Sequence, residues 1–339
     1  MRAVAIAEDR SLQPTTLEER ALGANEARVA VAFCGICGSD IHLRHSEAVA
    51  PGSVMGHEFS GTVSEVGESV EGSSVGDRVA VFPFAPCGEC PNCLRGDLHV
   101  CLQAATSGLG LGMNPGAYAE SVVVDASMLV AIPDRLSMEH GALVEPLAVG
   151  LHGIAIGETR PTDACAVIGA GPIGVMSALG LRAHGVERLV VVERNARRQD
   201  RMRSFGVETV GLEDVHMRVV DALGGEPPDV VFECAGNPAA PALAAELVRS
   251  RGIIVLLGVL EEPVPINQLV LLIKEAQMRA SFAYTRADFE DAVRLLTAGK
   301  LPADELITGI APMDRAQEMF ERLESPATED VKILLSPAG

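Results

Sequence analysis

Short apolar runs bounded by glycine, proline and acidic residues fill the first 132 positions of the chain. Runs of this kind are typical of β-strands. We predict strands at residues 1–7, 17–22, 27–33, 59–66, 78–82, 116–124 and 128–132. Many short strands separated by turns favour a barrel or a partly open sheet. A helix is predicted after Ser137, which stands where a serine can cap a first turn.

From residue 163 the pattern changes to strands that alternate with helices. Apolar runs typical of buried strands lie at residues 163–168, 189–193, 207–211, 228–236, 252–258 and 278–283. Helices are predicted between them at residues 175–184, 214–223 and 239–248. This alternation implies a parallel, doubly wound sheet. Amphipathic helices at 285–298 and 315–323 and a last strand at 331–335 follow, in a tail that is free to return to the first region.

The first strand of the alternating region leads into a glycine motif and then a helix. The motif reads Gly169-Ala170-Gly171-Pro172-Ile173-Gly174. In this context G-x-G-x-x-G is a dinucleotide-binding fingerprint. The first glycine permits a tight turn, the second lets the backbone approach the pyrophosphate, and the third lets helix and strand pack closely. The N-terminus of the helix offers N–H groups to the phosphates.

An acidic residue at the end of the next strand bears on the choice of dinucleotide. Glu193 lies nineteen residues after Gly174. A carboxylate at this point accepts from the ribose hydroxyls of NAD and repels a 2′-phosphate. Arg194, Arg197 and Arg198 follow at once, either as a solvated start of a helix or as residues that tolerate NADP. We expect NAD as the cofactor, with NADP less favoured.

Charge and composition narrow the classes of function. The 339 residues carry a net charge of −19, which argues against nucleic acid as a partner because phosphate would be repelled. No apolar run approaches the ~20 residues that span a bilayer, and the apolar start is too short for a signal peptide. We expect a cytoplasmic protein without a membrane partner, whose eight cysteines are metal ligands or free thiols.

Reactive side chains are concentrated between Cys34 and His42, directly after a predicted strand. This stretch holds thiols, a hydroxyl, a carboxylate and an imidazole, and His57 and Glu58 come fifteen residues later. Thiolate, imidazole and carboxylate together suit zinc. Taken singly, Cys34 and Cys37 could form a redox pair, and His57 could be a hydrogen-bonded histidine of the core.

Four further cysteines make a second candidate metal site. Their spacing is C-x2-C-x2-C-x7-C, at Cys87, Cys90, Cys93 and Cys101. In a cytosolic chain this spacing indicates zinc, and four thiolates fill a tetrahedron, so the site would be structural. The alternatives are two disulfides or coincidence.

Glu145 is a carboxylate within an apolar helical run. Burying a carboxylate is costly unless it has a partner, and a zinc ion would be one. The alternative is that Glu145 points to solvent.

A metal with an open position and a nicotinamide site together imply hydride transfer. The metal would act as a Lewis acid on an alcohol or carbonyl oxygen. Ser39 can hydrogen-bond that oxygen, and His42 can carry the proton outward because imidazole is the side chain suited to proton transfer at neutral pH. Asp40 is expected to accept hydrogen bonds near the zinc rather than to act as an acid or base.

Several of these motifs resemble those of the zinc-dependent medium-chain dehydrogenases, over nearly the full length of the chain. The matching stretches are CGICGSD (34–40), GHE (56–58), GDRV (76–79), the four-cysteine segment, EPL (145–147) and VIGAGPIG (167–174). Within the family the chain looks most like the sorbitol and butanediol dehydrogenases, with the threonine dehydrogenases as close kin.

The resemblance implies an α/β protein in which a Rossmann domain interrupts a GroES-like, β-rich catalytic domain. The expected domains are a catalytic domain at 1–148 with a structural zinc lobe at 84–104, an NAD-binding domain at 149–286, and a return to the catalytic domain at 287–339.

The resemblance also assigns roles to individual residues. It implies a catalytic zinc on Cys37, His57 and Glu58, with Glu145 as a neighbour or exchanging ligand. It assigns a second, structural zinc to the four-cysteine lobe and the proton relay to Ser39 and His42. Cys34 becomes a small buried residue of the scaffold.

The expected reaction is hydride transfer between a secondary alcohol, diol or polyol and NAD. A threonine-like amino alcohol is the alternative substrate. A non-catalytic nucleotide-binding sensor on the same fold is less favoured, because the whole set of relay residues is present. Lys274-Glu275 resembles a pair that approaches the substrate in the polyol branch, and the loop at 106–116 is a further candidate contact. The segment 258–266 resembles a subunit edge, so a homodimer or homotetramer is expected.

Overall fold

The computed structural model describes residues 1–103, 108–260, 262–325 and 328–337. The chain divides into two compact units. The first unit comprises Met1–Glu145, Ala292–Gly299 and Ala303–Gly339, and the second comprises Pro146–Asp291 and Lys300–Pro302. In the described part of the chain, no helix is both long and apolar enough to cross a membrane.

The strands are numbered along the chain. They are β1 (Arg2–Ile6), β2 (Leu12–Thr16), β3 (Glu26–Gly35), β4 (Glu58–Val66), β5 (Arg78–Val81), β6 (Ser121–Asp125), β7 (Leu129–Ala131), β8 (Cys165–Ile168), β9 (Leu189–Val192), β10 (Glu208–Val210), β11 (Val230–Glu233), β12 (Ile253–Leu256), β13 (Gln277–Ala280), β14 (Ile307–Pro312) and β15 (Lys332–Ser336).

The α-helices are numbered in the same way. They are α1 (Gly38–His45), α2 (Pro91–Leu94), α3 (Met138–Gly141), α4 (Val144–Ile156), α5 (Pro172–Ala183), α6 (Ala196–Ser204), α7 (Val215–Ala222), α8 (Ala240–Leu247), α9 (Gln268–Lys274), α10 (Arg286–Thr297), α11 (Ala303–Leu306) and α12 (Ala316–Glu324).

A seven-stranded sheet forms the frame of the first unit. Its order is β14-β15-β3-β4-β5-β7, and β6 also pairs with β3. The long strand β3 therefore lies between strands from distant parts of the sequence, with β4 and β15 both antiparallel to it. Alternate side chains of these strands meet in one core, to which Val29, Phe59, Tyr118 and Phe320 contribute.

A six-stranded parallel sheet forms the frame of the second unit. Its order is β10-β9-β8-β11-β12-β13, and each neighbouring pair is parallel. Every residue of β8, β9 and β11 is buried, as expected of strands covered on both faces. The order reverses between β8 and β11, and ligands of such sheets bind at this switch point.

The predicted fold class is confirmed in both units, with differences in individual elements. The prediction of a strand at 17–22 is wrong, because the strand that pairs with β1 is β2. β2 contains Pro14, and a proline argues against a strand when only the sequence is considered. Helices α1 and α9 and strand β14 were not predicted. α1 is largely polar, and β14 contains a register shift between Ile307 and Gly309 that interrupts its alternation.

Candidate metal and dinucleotide sites

The turn from β3 into α1 carries the first candidate metal ligand. Cys37 caps α1 in an extended conformation (φ −95°, ψ 154°), and its backbone N–H donates to Asp40 Oδ2 at 2.9 Å. The helix then carries Ser39, which is half-buried, and His42, which is exposed. Both predicted relay residues therefore lie on one short helix with the Cys37 thiol at its start.

The other two candidate ligands lie at the start of β4. Gly56 precedes them with φ +99°, and a Cβ at this position would lie 2.7 Å from the ring of Tyr118 and 2.8 Å from Cys34 Sγ. A side chain is therefore excluded both by conformation and by space. β4 pairs with β3 so that Glu58 lies opposite Gly35, which brings Glu58 next to the turn that carries Cys37.

The donor atoms of Cys37, His57 and Glu58 all lie within 4.8 Å of one another. His57 and Glu58 are buried, with 5% and 0% of their surface exposed, and Cys37 is half-buried. One sulfur, one nitrogen and one oxygen donor at this separation suit a tetrahedral zinc with one position left for another ligand. Cys34 is outside the set and buried, and burial raises the pKa of its thiol well above the ordinary value.

Asp40 is completely buried behind this donor set. Its Oδ2 accepts from the hydroxyl of Tyr118 at 2.7 Å and from the Cys37 backbone. Its Oδ1 lies 3.5 Å from His57 Nδ1, and these two buried atoms have no hydrogen-bond partner of their own. A carboxylate behind a histidine fixes the ring so that the other nitrogen faces the metal.

The electrostatics of His57 follow from this arrangement. Burial by itself lowers the pKa of His57, but the charges of Asp40 and Cys37 outweigh it and raise the pKa well above the ordinary value. The Nε2 atom lies 3.4 Å from the hydroxyl of Ser39, so the candidate ligand nitrogen and the relay hydroxyl face each other.

Lys332 lies next to the donor set and was not identified from the sequence. Only 1% of its surface is exposed, and Nζ donates to Glu58 Oε1 at 2.7 Å and Oε2 at 2.5 Å. Burial alone lowers the pKa of Lys332, but the charges of Glu58, Cys37 and Glu145 raise it above the ordinary value. The signal in the sequence was a single charge in the apolar run of residues 331–335.

Glu145 is buried at the start of α4, with 6% of its surface exposed. The alternative that it points to solvent is therefore wrong. Its charge helps to raise the pKa of Lys332. Glu145 is not among the three donors that lie within 4.8 Å of one another in the described residues.

The four cysteines of the lobe converge as their spacing predicted. All eight cysteines of the chain are free thiols, so the alternative of two disulfides is wrong. Sulfur–sulfur distances are 3.5 Å for Cys87–Cys101, 3.9 Å for Cys87–Cys93 and 4.0 Å for Cys90–Cys101. Four sulfurs at about 2.3 Å from a zinc ion would be about 3.8 Å apart.

Backbone N–H groups donate hydrogen bonds to the sulfurs of Cys87, Cys90 and Cys101. Cys90 N–H donates to Cys87 Sγ at 3.3 Å, and the N–H groups of Cys87 and Gln103 donate to Cys101 Sγ at 3.4 Å each. Such bonds from Cys93 and Leu102 lower the pKa of Cys90 to about 6, whereas burial raises the pKa of Cys93 to about 12. Thiolates are the form that binds zinc.

The glycine motif forms the loop between β8 and α5. Gly169 has φ +99°, and a Cβ there would lie 2.9 Å from Ala235 Cα. A Cβ on Gly174 would overlap the carbonyl of Gly169, whereas Gly171 faces open space. Pro172 and Ile173 begin α5, so a phosphate can approach the Gly171 backbone and the N-terminus of a twelve-residue helix. This cradle fits a dinucleotide.

Both carboxylate oxygens of Glu193 accept hydrogen bonds from the backbone, which the sequence did not predict. Its Oε2 accepts from Ala170 N–H at 2.7 Å and its Oε1 from Asn195 N–H at 2.8 Å, and only 7% of its surface is exposed. Asn195 in turn caps α6 through Arg197 N–H at 3.0 Å. The carboxylate therefore joins the glycine loop to the start of α6, where Arg194 is exposed.

The two predicted substrate contacts are Lys274-Glu275 and the loop at 106–116. Lys274 Nζ donates to the carbonyls of Ala245, Glu246 and Val248 at 3.0, 2.5 and 2.7 Å. It therefore caps the C-terminus of α8, and the substrate contact of Lys274-Glu275 stays a prediction. Residues 106 and 107 of the predicted contact loop at 106–116 lie outside the described residues.

Comparisons with known proteins agree with this geometry. Residues 23–134 match the alcohol dehydrogenase GroES-like domain, and residues 172–298 match the zinc-binding dehydrogenase family. The chain is 34% identical to (R,R)-butanediol dehydrogenase of Bacillus subtilis (strain 168) over 340 residues, which covers 95% of each chain.

Two solved structures extend the comparison. A short chain alcohol dehydrogenase of E. coli CFT073, complexed with NADH, has a TM-score of 0.92 at 28% identity, over 99% of both chains. A zinc-binding dehydrogenase of Sinorhizobium meliloti 1021, bound to NADP, has a TM-score of 0.90 at 29% identity, again over 99% of both. The chain therefore belongs to the zinc-binding dehydrogenases with an alcohol dehydrogenase GroES-like domain.

Proposed function

We propose that this protein transfers hydride between a secondary alcohol, diol or polyol and NAD, with a catalytic zinc held by Cys37, His57 and Glu58. The convergence of these three donors within 4.8 Å carries the proposal. When bound, zinc supplies a Lewis acid that polarises the substrate oxygen. The likeness to a butanediol dehydrogenase supports a vicinal diol as substrate.

The other polar groups of the first unit move and hold protons in this proposal. The hydroxyl of Ser39, 3.4 Å from His57 Nε2, hydrogen-bonds the substrate oxygen and takes its proton. The exposed imidazole of His42 delivers that proton to water. Asp40 keeps His57 oriented through Nδ1, and Glu145 is a neighbour that can exchange with the ligands.

The second zinc is structural in this proposal. The four thiolates of Cys87, Cys90, Cys93 and Cys101 leave no open position on a tetrahedral ion. Free thiols throughout the chain support a cytoplasmic location.

The domains proposed are 1–148 and 287–339 for catalysis and 149–286 for the dinucleotide, and the division into two units supports them. The last residue of the proposed zinc lobe, 84–104, lies outside the described residues.

NAD is the proposed cofactor because Glu193, directly after β9, places a buried carboxylate beside the glycine loop. Both NADH and NADP occur in structurally similar proteins, so the preference must be measured. Wild-type kcat/KM should be higher with NAD than with NADP, and Glu193→Ala should reduce this ratio. A preference of the wild type for NADP contradicts the proposal.

A homodimer or homotetramer is proposed from the outer strand of the second unit. β13 is the last strand of the six-stranded sheet in the described part of the chain. Val259, Leu272, Ile273 and Phe282 expose 64–82% of their surface in the flanking segments, and such apolar exposure marks interaction sites. Residue 261 of the predicted edge at 258–266 lies outside the described residues. Sedimentation velocity tests this, and a monomer at micromolar concentration contradicts it.

The central experiment combines activity with zinc content. Purified protein is screened with 2,3-butanediol, sorbitol, xylitol and threonine, with NAD as acceptor. We expect two zinc ions per chain and reduction of NAD with a diol or polyol. His57→Ala should lose one zinc and the activity while circular dichroism remains unchanged. Turnover by His57→Ala would disprove the ligand assignment, and activity with threonine alone would disprove the substrate class.

A further inference from the structure

Lys332 is a buried cation that the proposed reaction does not use. It is the one lysine among the buried residues of the described part of the chain. Its three N–H donors are directed at Glu58 Oε1, Glu58 Oε2 and the carbonyl of Ile36, at 2.7, 2.5 and 3.1 Å. Both oxygens of a candidate metal ligand are therefore already bonded to a cation of the protein itself.

The backbone around this pair leaves just enough space for it. Gly35 lies opposite Glu58 on β4 and opposite Leu334 on β15. A Cβ on Gly35 would overlap Glu58 Oε2 and would lie 3.1 Å from Lys332 Cδ. The three strands thus hold the ammonium and the carboxylate in one fixed arrangement.

The charges of the site explain what such a cation can do. The thiolate of Cys37 and the carboxylate of Glu58 would together cancel the charge of a zinc ion, and His57 is neutral as a ligand. Lys332 adds one positive charge to this group, and the buried carboxylates of Asp40 and Glu145 lie near it. Like charges repel strongly in a buried site of low dielectric constant, so Lys332 must weaken zinc binding while it stabilises Glu58.

We propose that Lys332 is a positioning residue that holds Glu58 in place without metal, and that it weakens zinc binding because its ammonium competes with zinc for both oxygens of Glu58. The proposal rests on the catalytic zinc site proposed above. It predicts opposite effects of removing the ammonium: a less stable metal-free protein and a more tightly held zinc.

Lys332→Met tests both effects in the full-length protein. Zinc loss is followed with excess EDTA and a colorimetric indicator, and thermal unfolding of the metal-free protein is followed by circular dichroism. We expect the catalytic zinc to leave at least tenfold more slowly than in the wild type, and the metal-free protein to melt at a lower temperature. Zinc loss at the wild-type rate or faster overturns the proposal, because a lysine with only a structural role would loosen the site when removed.

Three further variants make the result specific. Cys37→Ser identifies the catalytic zinc as the ion it lacks. If Cys37→Ser keeps as much zinc as the wild type, the catalytic site itself fails rather than the role of Lys332. Lys332→Arg keeps the charge and should lose zinc at close to the wild-type rate. Lys274→Met removes another hydrogen-bonded lysine, in the second unit, and should leave zinc loss unchanged.

A double variant covers the case in which Lys332→Met does not fold. Glu58→Gln combined with Lys332→Met removes both charges of the pair, so neither of these two charges is left buried without the other. The fall in melting temperature of the metal-free double variant should be smaller than the sum of the two single falls, or the double variant should fold where Lys332→Met does not. A fall in the melting temperature of the double variant that equals the sum of the two single falls would contradict the pairing of Lys332 with Glu58.

Discussion

Asp40 is a residue whose surroundings define a role that its position in the sequence could not. It is one turn of helix away from Cys37 in sequence, yet its carboxylate joins three separate segments through Tyr118, the Cys37 backbone and the His57 ring. The carboxylate has no exposed surface. The expectation that Asp40 accepts hydrogen bonds in this region is confirmed.

Asp40→Asn should therefore weaken zinc binding without disrupting the fold. The amide removes the charge behind His57 Nδ1, and loss of such a partner typically reduces metal affinity about 10–100-fold. Zinc content after dialysis against a graded chelator series measures this effect. Tyr118→Phe is the matched control, because it removes one donor to Asp40 and leaves the charge. It should lower the free energy of unfolding by about 1–3 kcal/mol and affect zinc less. An Asp40→Asn protein with wild-type zinc affinity would disprove the role.

At the scale of elements, two helices pass from one unit to the other. α4 begins in the first unit and ends in the second, and α10 does the reverse. Within the second unit they are joined by His152 Nδ1 and Asp288 Oδ2 at 2.8 Å. Asp288 Oδ2 also accepts from the backbone and hydroxyl of Thr285, at 2.8 and 2.6 Å. His152 is buried, so this pair is shielded from solvent.

Asp288→Asn should lower the free energy of unfolding at pH 7 by about 1.5–3 kcal/mol, because it weakens hydrogen bonds to a charged group. Burial raises the pKa of Asp288, but the bonds from His152 and Thr285 outweigh it and hold the pKa below its ordinary value of 3.8. A carboxyl with a lowered pKa in the fold stabilises it fully above the unfolded-state pKa, and the contribution is lost as the pH falls through the folded-state value.

The difference between wild type and Asp288→Asn should therefore persist down to pH values near 3.8 and narrow below that. Urea unfolding at a series of pH values measures it. A difference that grew on acidification would contradict the pairing. Arg286→Gln, on the same helix but in an exposed pair with Glu290, is the control and should change stability by less than about 1 kcal/mol.

At the scale of the whole molecule, a substitution in the four-cysteine lobe tests whether the proposed second zinc stabilises the fold. A structural zinc contributes directly to folding, so Cys90→Ser should lose one zinc per chain. A loss of about 2–3 kcal/mol in the free energy of unfolding should lower the melting temperature of the 339-residue chain by roughly 3–4 °C. Atomic absorption and calorimetry measure the two effects. Cys165→Ala, a buried cysteine of β8 outside the lobe, should keep both zinc ions. An equally stable Cys90→Ser protein would exclude a structural role.

Much of the fold was accessible from the sequence because its signals are local. Apolar runs of β8 and β9 and the glycine loop between β8 and α5 lie within about thirty residues, so their spacing alone predicts strand, turn and helix. The sixth strand, predicted at 278–283, is confirmed as β13. The prediction of a strand at 17–22 was wrong because the actual strand, β2, contains a proline. β2 is recognised only through its pairing with β1.

The candidate sites were also predictable only where their residues lie close together in the sequence. The lobe cysteines lie within fifteen positions, and their convergence followed from spacing. The contacts of Lys274 could not be predicted from the sequence, because its three acceptors are backbone carbonyls that leave no residue signature. The functional roles of Ser39 and His42 and the exact domain limits stay predictions.

The sequence by itself determined the chemistry of this protein: which thiols, imidazoles and carboxylates are available, and the short spacings that suit zinc and a dinucleotide. Only the tertiary structure decided how Cys37, Glu58 and Lys332 meet. These residues come from the turn after β3, the start of β4 and the start of β15. The physical reason is the pairing of β3 with both β4 and β15. This pairing places the charge of Lys332 against Glu58, a candidate ligand 274 positions earlier, and no local pattern encodes that contact.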